Sequence, residues 1–155
     1  FRERKIDLRY VTTTDAEEKV LHRLKGLQFH TLNRKSISIN KDILFRTTLL
    51  KAFLSSPHAC LETVNNRLDS VIQRLENTEL SASHRRDLEN DRQVLEMFRE
   101  LVERATDGVF AKLNELADYL DKIGWTGKNE RRVIVFSERI STLEVIQEFL
   151  TKRYK

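Results

Sequence analysis

Residues 131–150 read RRVIVFSERISTLEVIQEFL, and the fold expectation turns on them. Val133, Ile134, Val135 and Phe136 form an unbroken β-prone apolar run, the pattern of a strand covered on both faces. Ser137, Glu138 and Arg139 end it abruptly. Ser141, with Glu144 three residues on, has the form of a capping box that opens a helix. Leu143, Ile146, Phe149 and Leu150 supply that helix with an apolar face. A strand that feeds a helix through a polar turn is half of a βαβ unit, and ligands of open α/β sheets sit at that end of the strand.

Upstream, Lys5-Ile6-Asp7-Leu8-Arg9-Tyr10-Val11 alternates polar and apolar with the period of a half-exposed strand. Pairing with Val133–Phe136 would satisfy the backbone groups of both. Thr14 and Glu17 form a capping box for a helix running to about Leu24, with Val20, Leu21 and Leu24 inward and Gly26 as its stop. Residues 27–41 are undecided, and Ser36-Ile37-Ser38-Ile39 alternates only briefly. Asp42 suits the cap of a helix carrying Ile43, Leu44, Leu49, Leu50, Phe53 and Leu54. Ser56 followed by Pro57 is a sound helix start.

Leu61, Val64, Leu68, Val71 and Leu75 then fall at heptad spacing. After a polar break at residues 77–83, where Ser81 or Ser83 can cap, Leu88, Leu95, Phe98, Val102 and Ala105 continue it, with Asp91 interrupting the seam. Two such helices with a short polar link predict an antiparallel hairpin packed on its neighbours. Gly108 breaks the chain before a further helix with Phe110, Leu113, Leu116, Ala117, Leu120 and Ile123 as its stripe. Gly124–Asn129 is a loop. The expected fold is mostly α with a small β element: a helical hairpin plus an incomplete βα unit.

The chain of 155 residues suits one domain, with 39% apolar and 34% charged residues. Its start at Phe1 suggests a piece of a longer protein. No apolar run approaches the roughly 20 residues needed to span a membrane, and no signal-peptide pattern is present. Cys60 is the only cysteine, which excludes an internal disulfide and fits a reducing, cytoplasmic setting. Charge is segregated: residues 1–51 carry net +6, 52–127 net −5 and 128–155 net +3. Basic ends around an acidic middle would place a polyanion at the ends, although a solvated surface has the same composition.

Motifs of bond chemistry are scarce. Gly127-Lys128 lacks the upstream strand, the upstream glycine at position 122 and the following Ser or Thr of a phosphate-binding loop. Asp15-Ala16-Glu17-Glu18 follows three threonines rather than a buried strand, so it reads as a helix cap rather than a magnesium box. His58 and Cys60 are two apart, but His22, His30 and His84 are scattered, and zinc needs about four converging ligands. Trp125 reads as a ring on a core edge more readily than as a base-stacking platform.

Arg132, Val133–Phe136, Ser137, Glu138, Arg139, Thr142 and Leu143 together resemble motif IV and the following helix of superfamily-two helicases, in particular Swi/Snf-like DNA translocases. Residues 1–24 resemble the connector entering the second RecA-like lobe of that family. Leu49–Leu68 is similar to a helical segment that precedes motif IV in prokaryotic members. The resemblance implies an interior piece: a lobe connector (1–30), a helical insertion (42–124) and the first βα unit of a second RecA-like lobe (128–155). The P-loop, acidic box and arginine finger of such motors are not in this sequence. ATP and magnesium are therefore expected in a full-length parent, and no cofactor or hydrolysis in this segment alone.

The same resemblance, being to DNA translocases, assigns nucleic acid as partner, with DNA the expected kind and RNA left open. It is held by its phosphates through Ser137, Arg139, Ser141 and Thr142. Further partners are the rest of the motor and, through open strand edges, a second copy of the segment. The competing reading is a helical protein-interaction module whose working surface is the acidic hairpin Leu61–Ala105.

Overall fold

The computed structural model describes residues 6–32, 41–128 and 132–154. These hold α1 (Asp15–Lys25), a 3-10 turn (His30–Leu32), α2 (Lys41–Ser55), α3 (Pro57–Leu75), α4 (Ala82–Thr106), α5 (Ala111–Lys122) and α6 (Ile140–Arg153). The chain is mostly α, and no described residue belongs to a β-ladder. Ser36–Ile39, Lys5, Asn129 and Arg131 lie outside the described residues.

The helix starts follow local chemistry. Thr14 Oγ1 accepts the Glu17 N–H at 3.2 Å, and Glu17 takes the Thr14 N–H at 2.8 Å, completing the capping box. Ser56 accepts the Ala59 N–H at 3.1 Å with Pro57 in the first helical turn. Ser81 accepts the His84 N–H at 3.3 Å. Each such cap contributes about 1 kcal/mol. Asp42 departs from its expected role. α2 begins one residue before it, and its buried carboxylate accepts the Phe29 N–H at 2.9 Å and pairs with Arg46 at 3.0 Å. A carboxylate within the first turn of α2 thus caps a different segment.

α3 and α4 form the hairpin, the most extensive helix pair in the fold. Val64, Leu68 and Val71 of α3 and Leu88, Leu95, Phe98 and Val102 of α4 are buried along its seam. Arg85 closes the connecting loop, donating to the Leu75 and Asn77 carbonyls at 3.0 Å each. α1 and α2 lay Val20, Leu24, Leu49, Ala52 and Phe53 on the same core, together with Leu27 and Phe29. Complete burial of one such side chain stabilises by roughly 1.5–3 kcal/mol, so this core dominates the fold.

Two acids join distant elements. Asp91, wholly buried, does not merely interrupt the α4 seam. It accepts the N–H groups of His30 at 2.6 Å and Thr31 at 3.1 Å, and the Thr31 hydroxyl, so it caps the 3-10 turn. Glu17 also accepts the Ala111 N–H at 3.3 Å, supplying α5 with the cap that Phe110 lacks.

The two predicted strands are corrected. Val133–Phe136 belongs to no ladder, and it is not covered on both faces: Ile134 and Phe136 are 75% and 88% exposed. Val133 and Val135 are half-buried, and Val135 lines a groove with Leu143, Ile146 and Leu150 of α6. Ile6–Val11 likewise belongs to no helix or ladder. Its apolar members face outward, with Ile6 and Leu8 each 77% exposed and Tyr10 93%. The side turned to the protein is Arg9, which bonds Glu115 at 2.7 Å and lies 4.5 Å from the Tyr119 ring centroid. The expected alternation of burial is not formed, since residues 6–12 are all exposed, and an ion pair and a ring hold the run instead of apolar contact.

Candidate nucleic-acid interface

The four residues assigned to phosphate contact surround the start of α6. The helix begins at Ile140 with Arg139 as N-cap, and no side chain caps it. The expected Ser141–Glu144 box is therefore not formed. Ser137 Oγ instead accepts the Arg139 N–H at 3.2 Å, and this bond shapes the turn. The first-turn N–H groups of a helix have no intrahelical acceptors and carry the positive end of its dipole.

Ser137 and Thr142 meet partners from the other end of the chain. Ser55 Oγ lies 3.2 Å from Ser137 Oγ and 2.9 Å from Thr142 Oγ1, and Ser56 Oγ lies 2.7 Å from Thr142 Oγ1. These four hydroxyls pin the α2–α3 corner to the start of α6. Thr142 is 4% exposed, so its hydroxyl is spent on this internal network. Ser141 Oγ is shielded and has no hydrogen-bond partner among the described residues. Arg139 is half-buried, close enough for its charge to act on Cys60.

A cavity of about 220 Å³ opens beside the hydroxyls, lined by Ser55, Ser137, Thr142, Lys112, Phe110, Leu113, Leu116, Phe136 and Ile146. Lys112 Nζ donates to the Leu54 carbonyl at the end of α2 and brings a cation to the rim. Ser55, Ser56 and Lys112 were not among the sequence candidates. They lie 58 to 87 residues from the residues they bond here, and no local spacing signals that.

The other chemistry-bearing residues lie apart. Cys60 is wholly buried, and burial pushes its thiol up to about 12 against the opposing pull of Arg139. Burial also holds the His58 imidazole below its usual range, with Glu148 opposing, and the ring sits 6.3 Å from Phe110. No group of three or more metal-ligating side chains occurs among the described residues. Gly124 and Gly127 hold positive φ, 68° and 73°, which shapes the loop that seats Trp125 edge-on to Tyr154 at 5.0 Å. No helix of the described residues is long and apolar enough to cross a membrane. No protein-family model, curated protein or solved structure matches the chain.

Proposed function

We propose that this chain is an interior segment of a Swi/Snf-like, ATP-dependent translocase. It grips a nucleic-acid backbone at the start of α6 and couples that grip to the helical body. One observation carries the reading. An apolar run whose burial alternates, with Ile134 and Phe136 facing solvent, turns at Ser137 straight into a helix whose N-terminus has no side-chain cap and is flanked by Arg139. Such a run is suited to sit inside a larger sheet, and such a helix end is suited to hold a phosphate.

In this reading Arg139 and the first-turn N–H groups contact phosphate oxygens, with Ser137 and Ser141 beside them. Thr142 holds the turn against Ser55 and Ser56, so a load at the start of α6 transfers to the α2–α3 corner. The contact is to backbone and reads no sequence. ATP and magnesium belong to the remainder of the motor, as does bond chemistry.

The test is duplex and single-stranded DNA binding as a function of salt, comparing the wild type with Arg139→Ala plus Ser141→Ala. The reading predicts weak binding, with log K falling against log salt by about 0.7–0.9 for each phosphate contact, and a shallower slope in the variant. Binding that ignores both substitutions, or none at low salt, would remove the grip.

A further inference from the structure

α2 is apolar on two opposite sides. Leu49, Ala52 and Phe53 enter the core, while Ile43, Leu44, Leu50 and Leu54 are 51%, 53%, 38% and 50% exposed. A helix in a globular protein ordinarily keeps one apolar stripe, and a second marks a further packing surface. Ile43, Thr47, Leu50 and Leu54 recur at i, i+4, i+7 and i+11, which aligns them in one seam about 17 Å long at a rise of 1.5 Å per residue. Thr47 fits an apolar seam because its hydroxyl donates back to the Ile43 carbonyl at 2.8 Å. Beside the seam, Leu21 and Leu24 of α1 form the far wall of a groove of about 440 Å³.

Among the described residues the groove is lined by cations and by no acid. Lys25 and Arg46 line the groove, Arg46 paired with Asp42 at 3.0 Å, and Lys51 is exposed on α2 beside the seam. The only acid of α2, Asp42, is turned inward to Phe29 and Arg46. Of the acids in the first turn of α1, Glu17 is buried in the capping box, and Glu18 lies one turn before Leu21, beyond the lining of the groove. A second copy docking through the same face would set lysine against lysine. A nucleic-acid backbone would meet the lysines but leave the leucine seam in water.

We propose that the outer face of α2, with the groove beside α1, docks an amphipathic helix of a partner protein. That helix is apolar at i, i+3 or i+4, and i+7, and is flanked by Asp and Glu. The helix-in-groove mode draws affinity from the seam and orientation from the charges. This surface is distinct from the start of α6 and does not depend on the strand grip.

The experiment is selection of a displayed helical-peptide library with a fixed leucine seam and flanking positions varied between Glu and Lys. Winners are then measured by fluorescence anisotropy. The expected winners are acid-flanked, bind Leu50→Asp at least tenfold more weakly, and lose several-fold on Lys25→Glu with Lys51→Glu. Leu50→Asp should keep one cooperative melting transition a few degrees below the wild type, since Leu50 is 38% exposed, and Leu54→Asp, at 50%, should weaken the peptide likewise with a smaller shift. Arg139→Ala with Ser141→Ala should bind the peptide unchanged, so failure here is separable from failure of the strand grip. Four results overturn the proposal: no enrichment, Lys-flanked winners, affinity indifferent to Leu50→Asp, or a wild-type dimer that Leu50→Asp dissociates. DNA that displaces the peptide and itself depends on Leu50 would also overturn it, assigning the face to nucleic acid.

Discussion

Ser56 Oγ and Thr142 Oγ1 lie 2.7 Å apart across 86 residues of sequence, both in buried side chains. Ser56 also caps α3 through the Ala59 N–H, so one hydroxyl fixes a helix start and the docking of α6 together. Ser56→Ala should cost about 1–2 kcal/mol in urea unfolding, more than a cap alone. A double-mutant cycle with Thr142→Val should return a coupling of roughly 0.5–1.5 kcal/mol. Additive effects would mean that the two hydroxyls do not act on each other.

Asp91 holds the 3-10 turn from inside the core, and Arg67 depends on it. Burial lowers the Arg67 pKa, and the Asp91 charge is the main opposing influence. Asp91→Ala strands the His30 and Thr31 donors and leaves Arg67 without its counter-charge. The expected loss is about 3–5 kcal/mol by denaturant titration. Asp91→Asn, which keeps one acceptor oxygen, should lose less.

Cys60 gives a sign that can be worked out. Its thiol rises from an ordinary 9.0 to about 12 on folding. The folded state therefore keeps its proton where the unfolded chain begins to lose it. The contribution is complete below pH 9 and is lost as pH rises through about 12. Stability of the wild type should fall faster than that of Cys60→Ala across this window, by at most about 1.4 kcal/mol per pH unit. At pH 8 the native thiol should resist a maleimide that labels the unfolded chain at once.

Phe136 tests whether the apolar run is exposed. At 88% exposure, Phe136→Lys should change unfolding free energy by no more than about 0.5 kcal/mol, against about 3–5 kcal/mol for truncating a buried phenylalanine. Open edges also invite pairing between copies. The wild type should form a concentration-dependent dimer on size exclusion that Phe136→Lys abolishes. A strictly monomeric wild type at high concentration would contradict that pairing.

The helices were legible because their signals are local. Thr14 with Glu17, Ser56 with Pro57, and Ser81 all cap as their neighbours dictate, and the heptads of α3 and α4 mark the buried seam. The errors share a cause. Val133–Phe136 is strand-like in composition, but burial on both faces needs neighbours that the described residues do not supply. Asp42 and Asp91 look like a cap and a blemish because Phe29, His30 and Thr31, which they serve, lie 13 to 61 residues away. The candidate site was partly legible. Ser137 to Thr142 do cluster at one turn, yet Thr142 proves internal because Ser55 and Ser56, 87 and 86 residues away in sequence, reach it from the α2–α3 corner.

The most direct measurement of the strand grip follows the backbone amides of Ile140, Ser141 and Thr142 by NMR as a short oligothymidylate is added at low salt. A phosphate held at the start of α6 predicts shifts concentrated on these amides and on the Arg139 side chain, reversed by added salt and absent in Arg139→Ala. Shifts elsewhere with this turn unmoved, or none at all, would contradict the account.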